Sequence, residues 1–403
     1  MQFQKIIAQE AIKKQLAELV QHNRLSHALL LLSKEGSGSL SLAMALAQYI
    51  TCEKITVNSQ QSTEPALLFE EPTLPSTVDR GLLTESCGTC PSCTKASQLI
   101  HPDIHFSFPV VTKKSGTPPL SADYISEWRE FVENYPYGNV YDWLQFIGAE
   151  NKQGNITAHE CNDIIRKLSL KSFESEYKIL IMWMPEYLGV SGNKLLKLIE
   201  EPPPNTLFIL VAENDSMLLP TIVSRCQLIK IPALETNDIE KALIERNKTA
   251  PEQARQVAAT CEGNYREALQ LLQHAEEDWQ GLLREWLNAI LKTGPVAQTK
   301  WVEEISRQGR EKQKQFLRYF NHLLEQSIRS RIMGNNMHLP ENEKDFADRL
   351  NKLADISQQQ AIIEELDRAS YYIERNANSK ILFHALTIKL YHIIQDKIVF
   401  LTT

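Results

Sequence analysis

Residues 178–226, which read KILIMWMPEYLGVSGNKLLKLIEEPPPNTLFILVAENDSMLLPTIVSRC, decide the fold of this chain. Two apolar runs, Ile179–Met184 and Leu207–Ala212, flank a stretch in which leucine and isoleucine recur at helical spacing over residues 195–199. This pattern predicts a strand, a helix and a second strand, which together form one βαβ unit of a parallel sheet. Neither run alternates polar and apolar residues, as is typical of strands that are buried on both faces. Three consecutive prolines at 202–204 end the predicted helix, because proline cannot continue it.

This segment resembles the clamp-loader branch of the AAA+ ATPases, pentamers that load sliding clamps onto primed DNA. The resemblance covers nearly the whole chain and is most specific in LLKLIEEPPPNTLFILV and LLPTIVSRC. It implies that the first strand ends in an acidic pair, that the second carries a polar sensor, and that the arginine of Ser-Arg-Cys reaches the ATP site of a neighbouring subunit. Here Trp183 and Met184 replace the acidic pair, and the sensor region reads Val211–Glu213. The arginine is retained as Arg225.

The composition narrows the class of protein. A length of 403 residues is enough for two to four domains, and 43% hydrophobic with 23% charged residues is ordinary for a globular chain. A net charge of -7 argues against a protein that coats DNA by bulk charge. The first residues do not resemble a signal peptide, and no apolar run approaches the ~20 residues that span a bilayer. We therefore expect a cytoplasmic protein without a membrane partner, in which the seven cysteines are metal ligands or buried thiols rather than disulfides.

The segment after the first predicted strand aligns with a phosphate-binding loop of the pattern GxxxxGK[ST]. In such a loop, backbone N–H groups surround the phosphates, the lysine neutralises their charge, and Ser or Thr holds Mg²⁺. Gly36 and Gly38 are present here, but Ser33, Ser39 and Leu40 replace the first glycine, the lysine and the Ser/Thr. The loop thus keeps its glycines and loses its charges. Because the acidic pair is also missing, we expect no ATP hydrolysis by this chain alone.

Three cysteines form a CxxCxxC cluster, Cys87, Cys90 and Cys93. Two-residue gaps allow successive thiolates to converge on one metal ion, and a structural zinc site takes four ligands. Cys52 is the natural fourth ligand, and one cysteine ahead of a CxxCxxC cluster also resembles the zinc module of clamp-loader subunits. Residues 53–86 make this gap unusually long, but loop-closure entropy grows only slowly with length. We predict a structural Zn²⁺; the alternatives are cysteines without metal and an iron–sulfur cluster.

Residues 106–150 contain an insertion without a counterpart in the commoner family pattern. Its aromatic residues lie near Lys113 and Lys114, which would suit stacking on nucleic acid. The segment is acidic, however, and this favours two short helices packed into the core. His101 and His105 precede it, and we interpret both as structural because the family has HPD followed by a strand here. The aromatic residues are Trp128, Phe131, Tyr135, Tyr137, Tyr141, Trp143 and Phe146.

From Ile231 onward the pattern is helical. Gly263 predicts the end of one helix, with the next starting near Asn264. This part resembles the AAA+ lid, in which the arginine matching Arg266 contacts the γ-phosphate; with the loop charges lost, we expect Arg266 to form a structural ion pair. Residues 277–403 show no chemistry, and the resemblance implies a collar that closes the pentamer. Two core stripes are predicted there: Phe316, Phe320, Leu323 and Leu324, and Ile381, Leu382, Ala385, Leu386 and Leu390.

The predicted fold class is α/β: an AAA+ (RecA-like) parallel-sheet domain with a zinc-binding module, followed by a helical lid and an all-α collar domain. The limits are 1–232 for the sheet domain, about 52–93 for the zinc module, 233–276 for the lid and 277–403 for the collar.

The resemblance implies a non-hydrolysing subunit of the replicative polymerase clamp loader that supplies Arg225 in trans. Its partners would be the ATPase subunits and the delta subunit of a hetero-pentamer, with the sliding clamp and primed DNA reached through the complex. The alternatives are a catalytically active clamp-loader ATPase subunit with an atypical nucleotide site, and a zinc-containing nucleic-acid-binding protein.

Overall fold

A computed structural model describes most of the chain, which divides into two compact units, Met1–Gln273 and His274–Thr403. The described residues are 1–55, 84–113, 116–149, 152–273, 279–333, 341–374 and 377–397.

The first unit contains a five-stranded sheet in the order β2-β3-β4-β1-β5, with every neighbouring pair parallel. Its strands are β1 (Ala28–Ser33), β2 (Ile104–Ser107), β3 (Lys178–Trp183), β4 (Thr206–Ala212) and β5 (Gln227–Ile231). All residues of β3 and β4 are buried, in keeping with the apolar runs that follow Lys178 and Thr206. The parallel α/β class and the βαβ unit at residues 178–226 are therefore confirmed.

The connection between β3 and β4 contains the predicted helix and, before it, a segment that the leucine spacing did not predict. A 3₁₀ segment, Pro185–Leu195, comes first, and only Leu196–Glu200 is α-helical. Gly189 lies within the 3₁₀ segment at φ 49° and ψ -139°, so the backbone kinks there. Met184 also has a positive φ of 57°, which ends β3 at Trp183, one residue before the apolar run does. The helix predicted around residues 195–199 is therefore confirmed as Leu196–Glu200, and the kinked 3₁₀ segment before it was not predicted.

The remaining helices of this unit lie on both faces of the sheet or follow it. Their limits are Glu10–Gln21, Ser39–Ile50, Pro91–Ser97, Ile125–Asn134, Val140–Phe146, Ala158–Ser169, Pro220–Val223, Thr236–Asn247, Pro251–Thr260 and Tyr265–Gln273. Short 3₁₀ turns occur at Phe3–Lys5, Ser121–Tyr124 and Asp215–Met217.

Alternate residues of β1 enter two different cores, because successive side chains of a strand point to opposite faces. Leu29 joins the core that contains helix Ser39–Ile50, and Leu30 joins the core that contains helix Ala158–Ser169. Cys161 lies in the second core with no exposed surface, so it is one of the buried thiols expected among the seven cysteines. The loop that follows β1 therefore starts from a strand that is fixed on both sides.

The second unit is helical throughout its described part. Its helices are Trp279–Asn288, Pro295–Arg307, Arg310–Met333, Glu341–Leu353, Ile356–Glu374 and Ser379–Gln395, with a π-helical turn at Ala289–Thr293. Trp286 and Trp301 stack in its core with ring centroids 4.6 Å apart. The predicted stripe that begins at Phe316 is fully buried and confirmed as core.

The second predicted stripe is wrong in part. Ile381 is 69% exposed and Ala385 is also exposed. The buried face of helix Ser379–Gln395 is turned away from them, and it consists of Phe383, Leu386, Thr387, Leu390 and Ile393. This helix has apolar residues on several faces, so periodicity does not define a single buried face. Among the described residues, no helix is both long enough and apolar enough to cross a membrane.

Candidate functional site

The loop after β1, which aligns with the phosphate-binding pattern, contains two glycines with positive φ. Gly36 and Gly38 have φ values of 73° and 85°, a region that favours glycine. The side chains that replace residues of the pattern bind one another or pack into the core. The Ser33 hydroxyl donates to the Ser39 hydroxyl oxygen at 2.8 Å, and Leu40 is only 5% exposed. The loop thus presents backbone without the cation and the metal ligand that triphosphate chemistry needs.

Arg266 lies beside this loop and is neutralised by the chain itself. Its Nε and Nη2 donate to the two carboxylate oxygens of Asp142 at 2.5 and 2.6 Å. Its Nη1 donates to Oε1 of Glu35 at 3.0 Å, and the arginine side chain is only 4% exposed. The predicted structural ion pair of Arg266 is therefore confirmed. Neither acidic partner was predicted, although Glu35 within the loop was a visible signal.

The segment around residue 264 covers part of the loop. A Cβ atom added to Gly36 would lie 2.0 Å from Oδ1 of Asn264, and the N–H of Tyr265 donates to the Gly36 carbonyl at 3.4 Å. On the other side, a Cβ added to Gly38 would lie 2.9 Å from the ring of Tyr137. Both glycines are thus in close contact with other parts of the protein, and two carboxylates lie next to the loop.

The aromatic insertion covers the position of the missing acidic pair. Trp183 is 3% exposed, and its ring centroid lies 5.2 Å from that of Trp128 and 6.0 Å from that of Phe131. Trp128, Phe131 and Trp143 have no exposed surface, which confirms core packing and leaves these three rings unavailable for stacking on bases. The two predicted short helices are present, as Ile125–Asn134 and Val140–Phe146.

The lysines of the insertion give no support to a nucleic-acid surface. Lys113 pairs with Glu127 at 2.8 Å and lies over the ring of Tyr124 at 4.6 Å. Lys114 lies outside the described residues.

Glu186 is a buried carboxylate that no sequence motif had singled out. Its Oε1 accepts the N–H groups of Glu213 and Asn214 at 2.6 and 2.8 Å, just beyond the end of β4. Its Oε2 is buried and has no hydrogen-bond partner among the described residues. Burial raises the pKa of Glu186, against the opposing effect of the N–H donors. The signal was a single acid within the apolar stretch MWMPEYL.

Arg225 lies in the turn between helix Pro220–Val223 and β5. Its Nη1 donates to the carbonyl of Thr221 at 2.8 Å, and its Nη2 lies 3.2 Å from a carboxylate oxygen of Glu200. The arginine side chain is 31% exposed and that of Glu200 is 56% exposed. Arg225 is therefore accessible and is held by one surface ion pair and one carbonyl.

The structure brings all four predicted cysteine ligands together. The sulfur atoms of Cys52, Cys87, Cys90 and Cys93 all lie within 4.8 Å of one another. The Cys87 and Cys93 sulfurs are 3.9 Å apart, close to the S···S distance of about 3.8 Å that a tetrahedral zinc with bonds of about 2.3 Å requires. This set of four sulfurs therefore fits a tetrahedral, thiolate-ligated metal ion.

Backbone N–H groups already point at three of these sulfurs. The N–H of Cys87 donates to the Cys52 sulfur at 3.4 Å, that of Cys90 to Cys87 at 3.3 Å, and that of Cys93 to Cys90 at 3.4 Å. Burial raises the pKa of the Cys52 and Cys93 thiols. Burial acts in the same direction on Cys87, but donors from Thr89 and Cys90 outweigh it and lower its pKa to about 6. The N–H donors stabilise the thiolate form that binds a metal.

The residues of His101-Pro102-Asp103 support the neighbouring backbone. Nδ1 of His101 accepts the N–H of Asp103 at 3.2 Å, and Nε2 lies 3.0 Å from the Ser92 hydroxyl. The Asp103 carboxylate accepts the N–H groups of residues 173–175 at 2.6 to 2.8 Å. His105 lies within β2. Neither histidine belongs to the group of four sulfurs, in agreement with their structural interpretation.

Comparisons with known proteins connect these observations to a family. The model of the family described as "DNA polymerase III, delta subunit" matches residues 8–78 and 66–235, together more than half of the chain. DNA polymerase III subunit delta' of Bacillus subtilis is 26% identical over 269 residues, which is 66% of this chain and 60% of that protein. DNA polymerase III subunit tau of the same organism is 24% identical over 306 residues, 73% of this chain and 41% of that protein. The chain thus matches less than two thirds of the length of either relative.

A solved structure is also similar, at a greater distance. It is a DNA polymerase III gamma subunit-related protein from Thermotoga maritima, with 14% identity and a TM-score of 0.38 over 94% of this chain and 98% of that one. A likeness at this level carries no argument about function.

Proposed function

We propose a function from one premise: this chain belongs to the DNA polymerase III delta subunit family. It is a clamp-loader-related AAA+ protein. Within a clamp loader it would be a non-hydrolysing subunit of the delta-prime type. Its partners would be the ATPase subunits and the delta subunit of a hetero-pentamer that places a sliding clamp on primed DNA. Its contribution to the chemistry would be Arg225, directed at ATP in a neighbouring subunit.

One observation carries the non-hydrolysing part of this proposal. The buried arginine beside the glycine loop is neutralised by Asp142 and Glu35 of the same chain. An incoming polyphosphate would meet these two carboxylates, and like charges at short range repel strongly where water is scarce. Serine at position 39 replaces the lysine of the pattern, so the cation that would offset this repulsion is missing from that position. This favours the non-hydrolysing subunit over the catalytically active ATPase alternative.

The contacts of Arg225 suit a role in trans. A partly exposed ion pair such as that with Glu200 contributes little to stability, so exchanging it for a phosphate costs little. Arginine binds phosphate oxygens through two parallel N–H donors, which gives both strength and orientation. An arginine supplied to a phosphoryl-transfer site from another chain is worth roughly 10³ to 10⁵ in rate in systems where it has been measured.

The four-cysteine group is proposed to hold a structural Zn²⁺. When bound, the ion would cross-link the end of helix Ser39–Ile50, through Cys52, to the segment from Cys87 to Cys93. Four thiolate ligands leave no open position for a catalytic water, so the site would support the fold and take no part in the reaction.

The test replaces Arg225 in a complete clamp loader in which only the neighbouring subunit keeps a working nucleotide site. We expect Arg225→Ala to leave the thermal unfolding of this chain and its assembly unchanged. Single-turnover ATP hydrolysis in the presence of clamp and primed DNA should fall by roughly 10³-fold.

The matched control is Arg166→Ala, which removes another exposed, ion-paired arginine of the same unit and should leave the rate unchanged. An unchanged rate with Arg225→Ala would remove this residue from the mechanism.

A further inference from the structure

We propose that Glu35, Asp142 and Arg266 form a nucleotide-independent lock, here called the acid–arginine triad, which holds the helical segment 236–273 against the sheet domain. In this triad the carboxylate of Asp142 takes the position that a phosphate group would take beside the arginine. The aromatic insertion then has a role, because it carries the carboxylate of Asp142. This lock goes beyond the proposed function, because it concerns this chain alone and needs neither ATP nor a partner.

The triad joins three distant parts of the sequence. Glu35 belongs to the glycine loop, Asp142 to the insertion, and Arg266 to helix Tyr265–Gln273. Arg266 is 124 positions from Asp142 and 231 positions from Glu35 along the chain. The ion pairs therefore fix tertiary structure rather than local conformation.

The arginine binds Asp142 as it would bind a phosphate. Two guanidinium nitrogens, Nε and Nη2, face two oxygens of one group at 2.5 and 2.6 Å. Carboxylate and phosphate both accept this pair of parallel hydrogen bonds, so one can replace the other without a change at the arginine. The arginine thus has its anion permanently supplied by the protein.

Amide side chains hold the two acids in place. Asn139 and Asp142 form a reciprocal cap at the start of helix Val140–Phe146, with backbone-to-side-chain distances of 2.9 and 3.1 Å. The Asn139 amide also donates to Glu35 at 3.2 Å, and the Asn264 amide donates to the other oxygen of Glu35 at 3.2 Å. Buried polar networks add rigidity when their members are satisfied, and both carboxylates have several donors.

Burial makes the triad more important than the surface ion pairs of the same helical segment. Arg266 is 4% exposed, whereas Arg255, which pairs with Glu240 at 3.6 Å, is 71% exposed. Removing one member of a buried pair leaves an uncompensated charge in the interior, and this penalty is large. Removing one member of an exposed pair has little effect. Arg255 therefore provides a matched control within the same segment.

The insertion contacts the helical segment at a second point. The rings of Tyr137 and Tyr265 meet edge to face with centroids 4.9 Å apart, and the Tyr137 hydroxyl accepts the N–H of Ile7 at 2.9 Å. The close approach of Asn264 to Gly36 brings the same segment directly onto the loop. The insertion, the loop and the helical segment thus form one continuous contact with the triad at its centre.

Hydrogen exchange measured by mass spectrometry on the full chain tests the triad. Asp142→Asn and Arg266→Gln should speed amide exchange in residues 236–273 by about tenfold or more, because the segment then opens locally more often. Exchange in β3 and β4 should stay unchanged, and Arg255→Gln should behave as the unaltered protein. Millimolar ATP should leave exchange of the unaltered protein unchanged. If Arg266→Gln does not fold, Asp142→Asn and Glu35→Gln give the same reading.

Three results would overturn the proposal. Exchange in Asp142→Asn equal to that in Arg255→Gln would show that the triad does not hold the segment. Equal acceleration in the sheet strands would make the triad a general stabiliser of the core rather than a lock. Slower exchange of residues 236–273 on addition of ATP to the unaltered protein would show that nucleotide still controls the segment. None of these results depends on Arg225, so they are separate from the test of the proposed function.

Discussion

The glycine loop at residues 33–39 and the four cysteines between residues 52 and 93 are comparable motifs in the sequence, each incomplete or interrupted. The loop keeps two glycines of the pattern, Gly36 and Gly38, both with positive φ, but Ser39 replaces the lysine of the pattern. The cysteine group keeps all of its ligands, and they converge within 4.8 Å although residues 53–86 lie between the first and the second. Backbone conformation and side-chain chemistry are thus separable, and the long interruption leaves the four sulfurs together.

The surroundings of the two sites differ in the same way. Beside the loop, Asp142 pairs with Arg266, and Trp128 packs on Trp183 at the position of the missing acidic pair. Around the cysteines, backbone N–H groups still point at the sulfurs, as a thiolate site requires. The loop is thus lined by protein groups that pair with one another, whereas the four sulfurs are placed where they could hold a metal ion.

Removal of a cysteine ligand should have the largest effect, on both the metal content and the unfolding temperature. We expect the unaltered chain to contain one zinc ion, and Cys93→Ser to contain none, by elemental analysis of the purified protein. The unfolding temperature should fall by roughly 10 °C or more, because a structural zinc contributes several kcal/mol and about 2–4 °C are lost per kcal/mol in a unit of this size. Treatment of the unaltered protein with a chelator should produce the same loss.

The matched control for Cys93→Ser is Cys226→Ser, which changes a cysteine outside the group of four. It should keep the metal and the unfolding temperature. Two results would contradict the zinc proposal: a purified, unaltered chain without metal, and an unfolding temperature that chelation does not change. The contrast between a loop that does not bind nucleotide and a cysteine group that binds metal would then be lost.

Much of this contrast was visible in the sequence. The sequence pattern shows directly that the lysine of the loop and the acidic pair are missing. It also identifies the four cysteines, whose sulfur atoms lie together in the structure. The ion pair of Arg266 was also predicted, since an arginine without its phosphate needs another anion when it is buried. Local chemistry of this kind requires no knowledge of distant contacts.

The partners of Arg266 were not predictable in the same way. Asp142 lies in an insertion without a family pattern, and its position depends on how Trp128 and Trp143 pack beneath the helices of that insertion. Periodicity failed where apolar residues occur on more than one face, as at Ile381, and it did not predict the 3₁₀ segment around Gly189. Tertiary packing selects among faces and partners that the sequence leaves equivalent.

Glu186 allows a finer test, because this acid follows Trp183 and Met184, the positions of the missing acidic pair, by only two residues. Its pKa is raised above the ordinary value of 4.5 by burial, so the folded state holds the proton more tightly than the unfolded state. This contribution to stability is fully present below pH 4.5 and is lost as the pH rises through the folded-state pKa. Glu186→Gln keeps an oxygen for the N–H groups of Glu213 and Asn214 but does not titrate.

We therefore expect the free energy of unfolding of the unaltered protein to fall relative to Glu186→Gln as the pH rises from 4.5, measured by urea denaturation at several pH values. The exposed acid-to-amide change Glu201→Gln, in the same buffers, corrects for the general effect of removing one negative charge. If the free energy of unfolding of the unaltered protein instead rises relative to Glu186→Gln with increasing pH, Glu186 is stabilised as an anion. That result would be expected of an acid that substitutes for the missing metal-binding pair.

Restoration of the missing lysine and hydroxyl in the loop should have the smallest effect on ATP binding and hydrolysis. It is also the most direct test of the difference between the loop and the cysteine group. Ser39→Lys combined with Leu40→Thr recreates the missing lysine and hydroxyl of the pattern GxxxxGK[ST]. We expect neither ATP binding by calorimetry nor phosphate release, because Glu35 and Asp142 still lie beside the loop and Trp183 still replaces an acid. The unaltered chain, titrated in parallel with ATP and Mg²⁺, should likewise show no turnover. Binding by the restored variant alone would show that the loop had lost only its charges, and the idea that the surrounding protein has closed this site would have to be given up.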